Sequence, residues 1–300
     1  MNTFSGGPDK SSATPSGDAD YRRVTPRRSD APLHCGVLVE ARHLSHAQPR
    51  GMMRALAAVG CRVTLIDPQV SLLDIENPGW FAGRDLIIAC GRSTSLLARL
   101  SAAEAAGVPT LNQRSAIAAV LDKAHVITQL RAAGIPVPPT WIGAFEQVRR
   151  CIPDKAFPLV LKPAIGDNGR GIRVVDKPAA LEGVTWSDPC VIAQHLLPSN
   201  GFDIRLYAID ERVWAIRKPS ALRGGSGAVT PMPLPPAWRE LALRCGDLFG
   251  LELFSVDCVE AESGLQVVEV HDFPNYAGVP EADLLLARHA ARRATARRQA

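Results

Sequence analysis

Short apolar runs alternate with helical stretches between residues 33 and 112. The runs HCGVLVE, CRVTLIDP, RDLIIACG and VPTLN are typical of strands. Between them, QPRGMMRALAAVG and STSLLARLSAAEAAG predict helices that end at Gly60 and Gly107. This alternation predicts a small parallel sheet with helices on both faces. No GxGxxG motif follows the first strand, so a dinucleotide-binding interpretation lacks its main support.

The pattern changes after residue 113. The run SAIAAVLDKAHVITQLRAAG predicts one helix that contains Lys123 and ends at Gly134, ahead of three prolines. FDIRLYAIDERVWAIRKPS predicts two strands joined by a tight turn near Asp210, and VIAQHLL predicts another strand.

The last hundred residues continue this mixed pattern. PAWRELALRCGDLFG predicts a helix that ends at Gly250, and PEADLLLARHAARRATARRQA predicts a terminal helix. Between these helices, LELFSVDCVEAESGLQVVEVHDFPNY predicts a hairpin. The predicted fold class is therefore α/β with α+β parts, in which a small parallel βαβ domain precedes a region of hairpins and helices.

Composition supports a globular enzyme. The 300 residues are 46% hydrophobic and 21% charged, and their length suggests about two domains. No apolar run approaches the ~18 residues of a membrane-spanning helix, so no membrane association is expected. Seven scattered cysteines without a CxxC motif predict buried free thiols in a reducing, cytoplasmic location.

The two ends carry much of the net charge of +4. Residues 1–32 are rich in Ser, Pro, Gly and Arg and lack an apolar h-region, which predicts a disordered tail and not a secretory signal. The last stretch, ARHAARRATARRQA, has five arginines. It could continue a helix as a solvated basic end, which we favour, or it could form a patch for an acidic partner. The body lacks interleaved basic and aromatic residues, so no nucleic-acid partner is expected.

The stretch FPLVLKPAIGDNGRGIRVV places a lysine and three glycines after an apolar strand. Gly166, Gly169 and Gly171 permit positive φ and close backbone approach, so that successive amides can turn toward an anion. Because no Gly-Lys-Ser/Thr occurs, the loop is not a Walker motif, and a plain hairpin turn remains an alternative. Lys162 favours the anion site, since a lysine on an apolar strand needs an anionic partner.

The C-terminal hairpin predicts a metal site. Its turn, AESG, centres near Ser263, which places Asp257 opposite Glu269 and His271 on the same face. Carboxylates that face each other at roughly 5 Å between Cβ atoms repel unless a cation joins them. Mg²⁺ favours such oxygen ligands together with phosphates. A solvent-facing hairpin end is the alternative.

These motifs occur in an order that resembles the ATP-grasp superfamily, and most closely its RimK-type carboxylate–amine ligases, over about residues 33 to 290. The resemblance implies an ATP-grasp fold. The implied divisions are a tail at 1–32, a pre-ATP-grasp domain at 33–112, an ATP-grasp domain at 113–290 with a lid-bearing part at 113–196 and a metal-binding part at 197–290, and a basic tail at 291–300.

The resemblance also implies a role for each motif. Lys123 and Lys162 match the lysines that hold nucleotide phosphates. The lid over the phosphates matches the loop from Ile165 to Ile172, which contains Gly166, Asn168, Gly169 and Gly171. The hinge that reads adenine matches Gln194, His195, Leu196 and Leu197. Asp203 and Arg205 match groups near ribose and phosphate, and Arg217 matches a basic residue that faces the phosphoryl-transfer region. Asp257, Glu269 and His271 match the metal positions.

The implied reaction joins a carboxylate to an amine. ATP phosphorylates the carboxylate, and an amino acid or peptide amine then displaces phosphate from the acyl phosphate. Lys162, Arg205 and Arg217 are the expected catalytic residues; the expected cofactors are ATP and Mg²⁺, with Mn²⁺ as an alternative, and a homo-oligomer is compatible. A kinase that acts on a hydroxyl and a non-catalytic nucleotide-binding protein remain alternatives.

Two departures from the family pattern bear on the site. His271 stands where the family usually has asparagine, and imidazole is a poorer ligand for Mg²⁺ than an amide oxygen. It is either a ligand or a neighbour of the ligands. His195 stands where an acidic residue is common. A Cys190–His195 nucleophilic pair is a weaker interpretation, and Trp186, Trp214 and Trp238 are expected to serve packing.

Overall fold

A computed structural model describes residues 31–77, 79–166 and 169–299. Within these residues the chain forms thirteen strands and seven α-helices, and the strands make three sheets. The predicted tail at residues 1–32 lies almost entirely outside the described residues, and Asn168 of the glycine loop also lies outside them.

The first sheet is parallel, as the alternating pattern predicts. Its elements are β1 His34–Val39, α1 Ala47–Ala58, β2 Arg62–Ile66, β3 Leu86–Cys90, α2 Thr94–Ala105 and β4 Thr110–Leu111. The strand order is β2-β1-β3-β4, and all three strand pairs are parallel. Alternating side chains of β1 and β3 enter two separate apolar clusters, so helices cover both faces of this sheet.

The second sheet is antiparallel and carries the glycine loop. Its elements are α3 Arg114–Ala119, α4 Lys123–Ala132, β5 Thr140–Gly143, α5 Phe145–Cys151, β6 Leu159–Pro163, β7 Arg173–Val175 and β8 Val191–His195. The strand order is β5-β8-β6-β7. Because β6 and β7 pair antiparallel, the loop that joins them projects from the end of the sheet at which Lys162 lies.

The single helix predicted around Lys123 is wrong, because the structure has two helices there. Helix α3 ends at Ala119, and α4 begins at Lys123. Asp122 causes the break, since its carboxylate accepts hydrogen bonds from the amides of Ala124 (2.8 Å) and His125 (3.3 Å) and so caps α4. Lys123 therefore lies in the first turn of a helix and not in its interior.

The third sheet is antiparallel. Its elements are β9 Phe202–Ile209, β10 Arg212–Pro219, β11 Thr230–Met232, α6 Pro236–Phe249, β12 Leu253–Ala261 and β13 Gly264–Asp272. The strand order is β11-β10-β9-β12-β13. The predicted turn at Asp210 and the predicted helix end at Gly250 are both confirmed, and both residues have positive φ (57° and 67°).

The register of the C-terminal hairpin is confirmed with one added feature. Ala261 pairs with Gly264 at the turn, and this register would place Asp257 opposite Val268. A β-bulge between Asp257 and Cys258 adds one residue to β13 and brings Asp257 opposite Glu269. The predicted carboxylate pair therefore exists because the bulge corrects the register that the turn sets.

Helix α7, Ala282–Gln299, joins the first sheet to the third. Its buried Leu286 and Ala290 share one apolar cluster with Val37 of β1 and Ile209 of β9. The basic end predicted as a tail at 291–300 continues this helix through residue 299.

Three arginines of this basic end form ion pairs with the body of the chain. They are Arg292 with Asp210 (3.2 Å), Arg293 with Glu252 (3.2 Å) and Arg298 with Asp85 (2.8 Å). This part of the predicted basic surface thus holds α7 in place.

The tryptophans and cysteines follow the predicted packing roles with two exceptions. Trp214 and Trp238 pack against the two largest apolar clusters, and Trp186 stacks on Phe145. All seven cysteines are free, but Cys151 is exposed and Cys190 is half-buried. In the parts of the chain that the structure describes, no helix is both long and apolar enough to cross a bilayer.

The cap of α4 can be tested by Asp122→Ala. Loss of a capping carboxylate leaves two amides without their acceptor, and we expect the free energy of unfolding to fall by about 1 kcal/mol. Urea unfolding monitored by circular dichroism measures this change. Exposed Asp188→Ala is the matched control and should change stability far less; equal losses in the two variants would contradict the capping role.

Candidate active site

A cleft of about 610 Å³ receives side chains from all three sheets. Most of the residues singled out in the sequence line it. They are Lys123, Lys162, Gly166, Gly169, Gln194, His195, Leu196, Leu197, Asp203, Arg205, Asp257, Glu269 and His271. Gly171 and Arg217 are not among the lining residues. Residues separated by more than a hundred positions in the chain thus meet at one site.

Lys162 is buried at the cleft end of β6. Its Nζ donates to Gln194 Oε1 at 2.8 Å and to the carbonyl of Val268 at 3.5 Å. Burial lowers the pKa of Lys162, although the carboxylate of Glu269 opposes the shift. Both hydrogen-bond partners are neutral, so a charged Lys162 at this place favours an anion in the cleft.

Lys123 also lies beside Glu269. Its Nζ donates to the carbonyl of Gly166 at 2.6 Å and lies 3.3 Å from Glu269 Oε1. The amide of Lys123 also donates to the carbonyl of Ala164 at 2.9 Å. These contacts connect the start of α4 to the glycine loop, so that the two lysines and the loop border the same part of the cleft.

The glycine loop has the backbone freedom that the sequence predicts. Gly169 and Gly171 have φ of 70° and 75°, in the region that favours glycine. At Gly166, a Cβ atom would lie only 2.9 Å from the ring of Pro163. The loop can therefore come close to a ligand, as an anion-binding loop requires.

The proposed hinge follows β8. Gln194 donates from Nε2 to Thr140 Oγ1 at 3.0 Å and accepts from Lys162. The amides of His195 and Leu196 donate to the carbonyls of Pro139 and Pro158, both at 2.8 Å. These two amides therefore hold the hinge in its position between β5 and the start of β6.

Cys190 and His195 do not form a nucleophilic pair. They lie five residues apart along an extended strand, a separation of roughly 16 Å. The Nδ1 atom of His195 is hydrogen-bonded with the carbonyl of Ala156 at 2.7 Å, and Cys190 Sγ contacts the carbonyl of Val191.

Asp257 is held by two cations. Its carboxylate accepts hydrogen bonds from Nε and Nη2 of Arg205 and from Lys218 Nζ at 2.9 Å. Burial alone would raise the pKa of Asp257, but Arg205 and His271 hold this pKa well below its usual range. Burial likewise opposes the charged form of Arg205, yet Asp257 raises the pKa of this guanidinium above its usual value.

His271 lies between the two carboxylates, as the register predicts. Its Nε2 is 3.5 Å from Asp257 Oδ2 and 3.8 Å from Glu269 Oε2. This nitrogen is buried and makes no hydrogen bond. Burial opposes the charged form of Glu269, but His271, Lys123 and Lys162 together lower the pKa of Glu269. The site therefore favours an ionised Glu269 beside an imidazole nitrogen that lacks a hydrogen-bond partner at normal distance.

The donor set fits a divalent ion that arrives with a phosphate ligand. Among the described residues, no three His, Cys, Asp or Glu side chains are arranged to enclose a metal ion on their own. Asp257, Glu269 and His271 all line the cleft, and Asp257 is also engaged by Arg205 and Lys218. Divalent ions are commonly held by one or two protein ligands together with substrate phosphates.

Arg217 lies on the opposite face of the third sheet from this cluster. It is exposed, and its guanidinium lies 4.2 Å from the ring centre of Phe202. The expectation that it faces the reacting groups therefore does not hold in this structure. Lys218 points to the cleft side and was missed, although alternation along the hairpin would have found it, because Lys218 pairs with Asp203.

Two further arginines of the cleft were missed. Arg223 lines the cleft, and its Nη2 is buried without a hydrogen-bond partner. Arg92 lines the cleft from the end of β3 and forms an ion pair with Asp272. Their positions depend on the packing of distant segments, and no local motif marks either residue.

Comparison with known proteins identifies the class. The family model described as the RimK-like ATP-grasp domain matches residues 120–284, more than half of the chain. The chain belongs to this family.

Similar proteins agree with this family. The chain is 29% identical over 197 residues to a "Probable alpha-L-glutamate ligase" of Stutzerimonas stutzeri, a match that covers 59% of this chain and 64% of that protein. The chain thus spans less than two thirds of the length of this curated relative.

Solved structures share the fold. A RimK domain ATP-grasp protein from Sphaerobacter thermophilus superposes with a TM-score of 0.71 at 22% identity, covering 85% of this chain and 98% of that one. The ATP-grasp ligase PsnB, in complex with minimal precursor, Mg and ADP, gives a TM-score of 0.67 at 19% identity, with 87% and 98% covered. The fold is therefore the ATP-grasp fold, as the motif order predicts.

The ion pairs of Asp257 can be tested by Asp257→Asn. This change leaves Arg205 and Lys218 without their carboxylate, and we expect a loss of about 3 kcal/mol in the free energy of unfolding at pH 7. Because the native pKa of Asp257 is lowered, its contribution is complete above the unfolded pKa of about 3.9 and declines as the pH falls below it. The difference from wild type should therefore shrink by about 1 kcal/mol between pH 5 and pH 3.

Denaturant unfolding at several pH values measures this difference. Exposed Asp176→Asn serves as the control and should follow the wild type. If the difference in free energy of unfolding between Asp257→Asn and the wild type stays constant down to pH 3, the stabilising contribution of Asp257 does not depend on its charge.

Proposed function

We propose that this chain is an ATP-dependent carboxylate–amine ligase that forms an amide bond through an acyl phosphate and releases ADP and phosphate. One observation carries the proposal. Lys123, Lys162 and the glycine loop meet Glu269 and His271 in one cleft of a RimK-like ATP-grasp chain. The name of its S. stutzeri relative, an alpha-L-glutamate ligase, agrees with this reaction class.

The nucleotide is proposed to lie along the cleft, from the hinge to the acidic cluster. The hinge, from Gln194 to Leu197, would receive the adenine, and Asp203 would lie near the ribose. Lys162 and Lys123 would hold the phosphates from two sides, while amides of the glycine loop cover them. Lys162 is held by neutral oxygen atoms that leave its charge uncompensated, whereas Lys123 also pairs with Glu269.

Glu269 and His271 are proposed to hold the divalent ion, with Asp257 beside them. A bound Mg²⁺, or Mn²⁺ as an alternative, neutralises charge on phosphate oxygens. The protein's own cations complete this stabilisation. Arg205 and Lys218 lie next to the acidic cluster, where negative charge develops on the transferred phosphoryl group and on the tetrahedral intermediate. We assign to Lys218 the role that the sequence suggests for Arg217.

The acceptor side is proposed to bind a small carboxylate and an amine from an amino acid or peptide. Arg223 is our candidate for the carboxylate, because its Nη2 lies buried at the cleft without a hydrogen-bond partner. Arg92 and Asp272 lie at the same cleft and form the boundary toward the first sheet. No protein nucleophile is required, because the phosphoryl group activates the carboxylate.

We also propose domain boundaries near residues 112 and 196, a homo-oligomer and a cytoplasmic location. The seven free cysteines support a reducing compartment.

The second candidate function is nucleotide binding without turnover. It is favoured by the ion pairs that engage Asp257 with Arg205 and Lys218, since these leave the first expected metal ligand occupied.

The ligase proposal is tested by a screen of amino acids and peptides for ATP-dependent release of free phosphate, in Mg²⁺ and in Mn²⁺. We expect one carboxylate–amine pair to give equal amounts of ADP, free phosphate and amide. Glu269→Gln should lower the rate at least 100-fold, because it removes a charge from the metal-binding cluster. Exposed Glu260→Gln, on the same hairpin, is the matched control and should keep the wild-type rate.

The products separate the alternatives. Phosphate that stays on an acceptor hydroxyl would indicate a kinase. Binding of ADP without any turnover across the screen would favour the non-catalytic candidate and contradict the ligase.

Lys162→Met tests the phosphate contacts separately from folding. We expect the variant to bind ADP about 30-fold more weakly, which corresponds to the ~2 kcal/mol of a charge-assisted hydrogen bond. Because burial already lowers the pKa of Lys162, its removal should leave the melting temperature unchanged or raise it. Calorimetric titration and thermal unfolding give the two values. Exposed Lys155→Met is the control, and equal affinity in both variants would contradict the assignment.

A further inference from the structure

The starting observation is that Nε2 of His271 has no hydrogen-bond partner at normal distance. Its Nε2 is buried, makes no hydrogen bond, and lies within 4 Å of carboxylate oxygens of both Asp257 and Glu269. A buried polar atom without a partner is rare and destabilising unless a ligand satisfies it. The cleft is the open side of this cluster, so a ligand for Nε2 arrives from there.

The neighbouring charges restrict the ligand. Glu269 carries two ammonium groups on its flanks, Lys123 at 3.3 Å and the buried Lys162, and Asp257 carries Arg205 and Lys218. A bare divalent ion that approaches this cluster is repelled by four positively charged side chains. An ion that is already bound to phosphate oxygens is repelled less, because the two lysines then face the negatively charged phosphates. The cluster therefore suits an ion that a nucleotide carries.

We propose that His271, on release of its Nε2 proton, is a direct ligand of this nucleotide-borne ion and that it makes the chain favour Mn²⁺ and Co²⁺ over Mg²⁺. The inference rests on the proposed nucleotide site. Mg²⁺ prefers oxygen donors, whereas affinity for nitrogen donors rises along the first-row divalent metals from Mn²⁺ through Co²⁺. With Glu269 as the oxygen ligand and His271 as the nitrogen ligand, the remaining positions belong to phosphate and water.

The first test measures affinities for Mn²⁺, Co²⁺ and Mg²⁺ with and without ADP. Mn²⁺ is followed by its electron paramagnetic resonance signal, and the other two ions by competition. We expect tight binding only with ADP. In His271→Asn, which restores the family's usual amide, the preference for Co²⁺ over Mg²⁺ should fall by about tenfold or more.

A matched control separates ligation from the loss of a buried imidazole. His289 is more deeply buried than His271, and it bonds to Glu252 at 2.9 Å, outside the cleft. His289→Asn should lower the melting temperature and leave the Co²⁺/Mg²⁺ ratio unchanged. An unchanged ratio in His271→Asn, or tight binding of Mn²⁺ without ADP, would overturn the proposal.

A second measurement needs no variant. Pulsed paramagnetic resonance of the Mn²⁺·ADP complex, on protein labelled with ¹⁵N-histidine, should detect one directly bound ¹⁵N nucleus; adenine carries only ¹⁴N. Absence of this coupling would exclude His271 as a ligand. If ADP binds normally and the coupling is absent, only the metal inference fails. If ADP does not bind in equilibrium dialysis with any of the ions, the nucleotide site fails as well.

Discussion

Two carboxylates that face each other across a hairpin, Asp257 buried and Glu269 half-buried, must be compensated by positive charge, and strands β9 and β10 and helix α4 supply it. Arg205 and Lys218 reach Asp257 from strands of the same sheet, whereas Lys123 reaches Glu269 from the start of a helix beside the second sheet. Neither sheet alone neutralises both carboxylates. The electrostatic balance of the hairpin therefore links the sheets, and any anionic ligand enters a site whose charges are already arranged around it.

This balance explains why the supporting contacts are mostly neutral. Gln194 and backbone carbonyls help to fix the positions of the two lysines, and the charge of Lys162 remains available to a ligand, while Lys123 also pairs with Glu269. The first sheet contributes differently, through the apolar cluster that α7 shares with β1 and β9 and through the Arg92–Asp272 pair at the cleft. Apolar packing thus positions the sheets, and the polar groups are left to meet the ligand.

Local pattern predicted the elements well where apolar periodicity and glycine ends were strong. The parallel first sheet, the turn at Asp210 and the Asp257–Glu269 pair followed from such signals. The helix around Lys123 did not, because a single capping carboxylate outweighed an otherwise continuous helical pattern. Arg92 and Arg223 could not be predicted, since their approach to the cleft depends on packing between distant segments. Lys218 was within reach of simple strand alternation.

The bulge in β13 has a consequence for how this cleft tolerates change. It separates the register of the turn from that of the carboxylate pair, so that the outer end of the hairpin and its inner end are specified independently. The extra residue, Val268, also turns its carbonyl toward Lys162. A main-chain atom thereby holds a central lysine, and no side-chain replacement at that position removes it. Substitutions at the tip of the hairpin can therefore occur without changing the register of the carboxylate pair at its base.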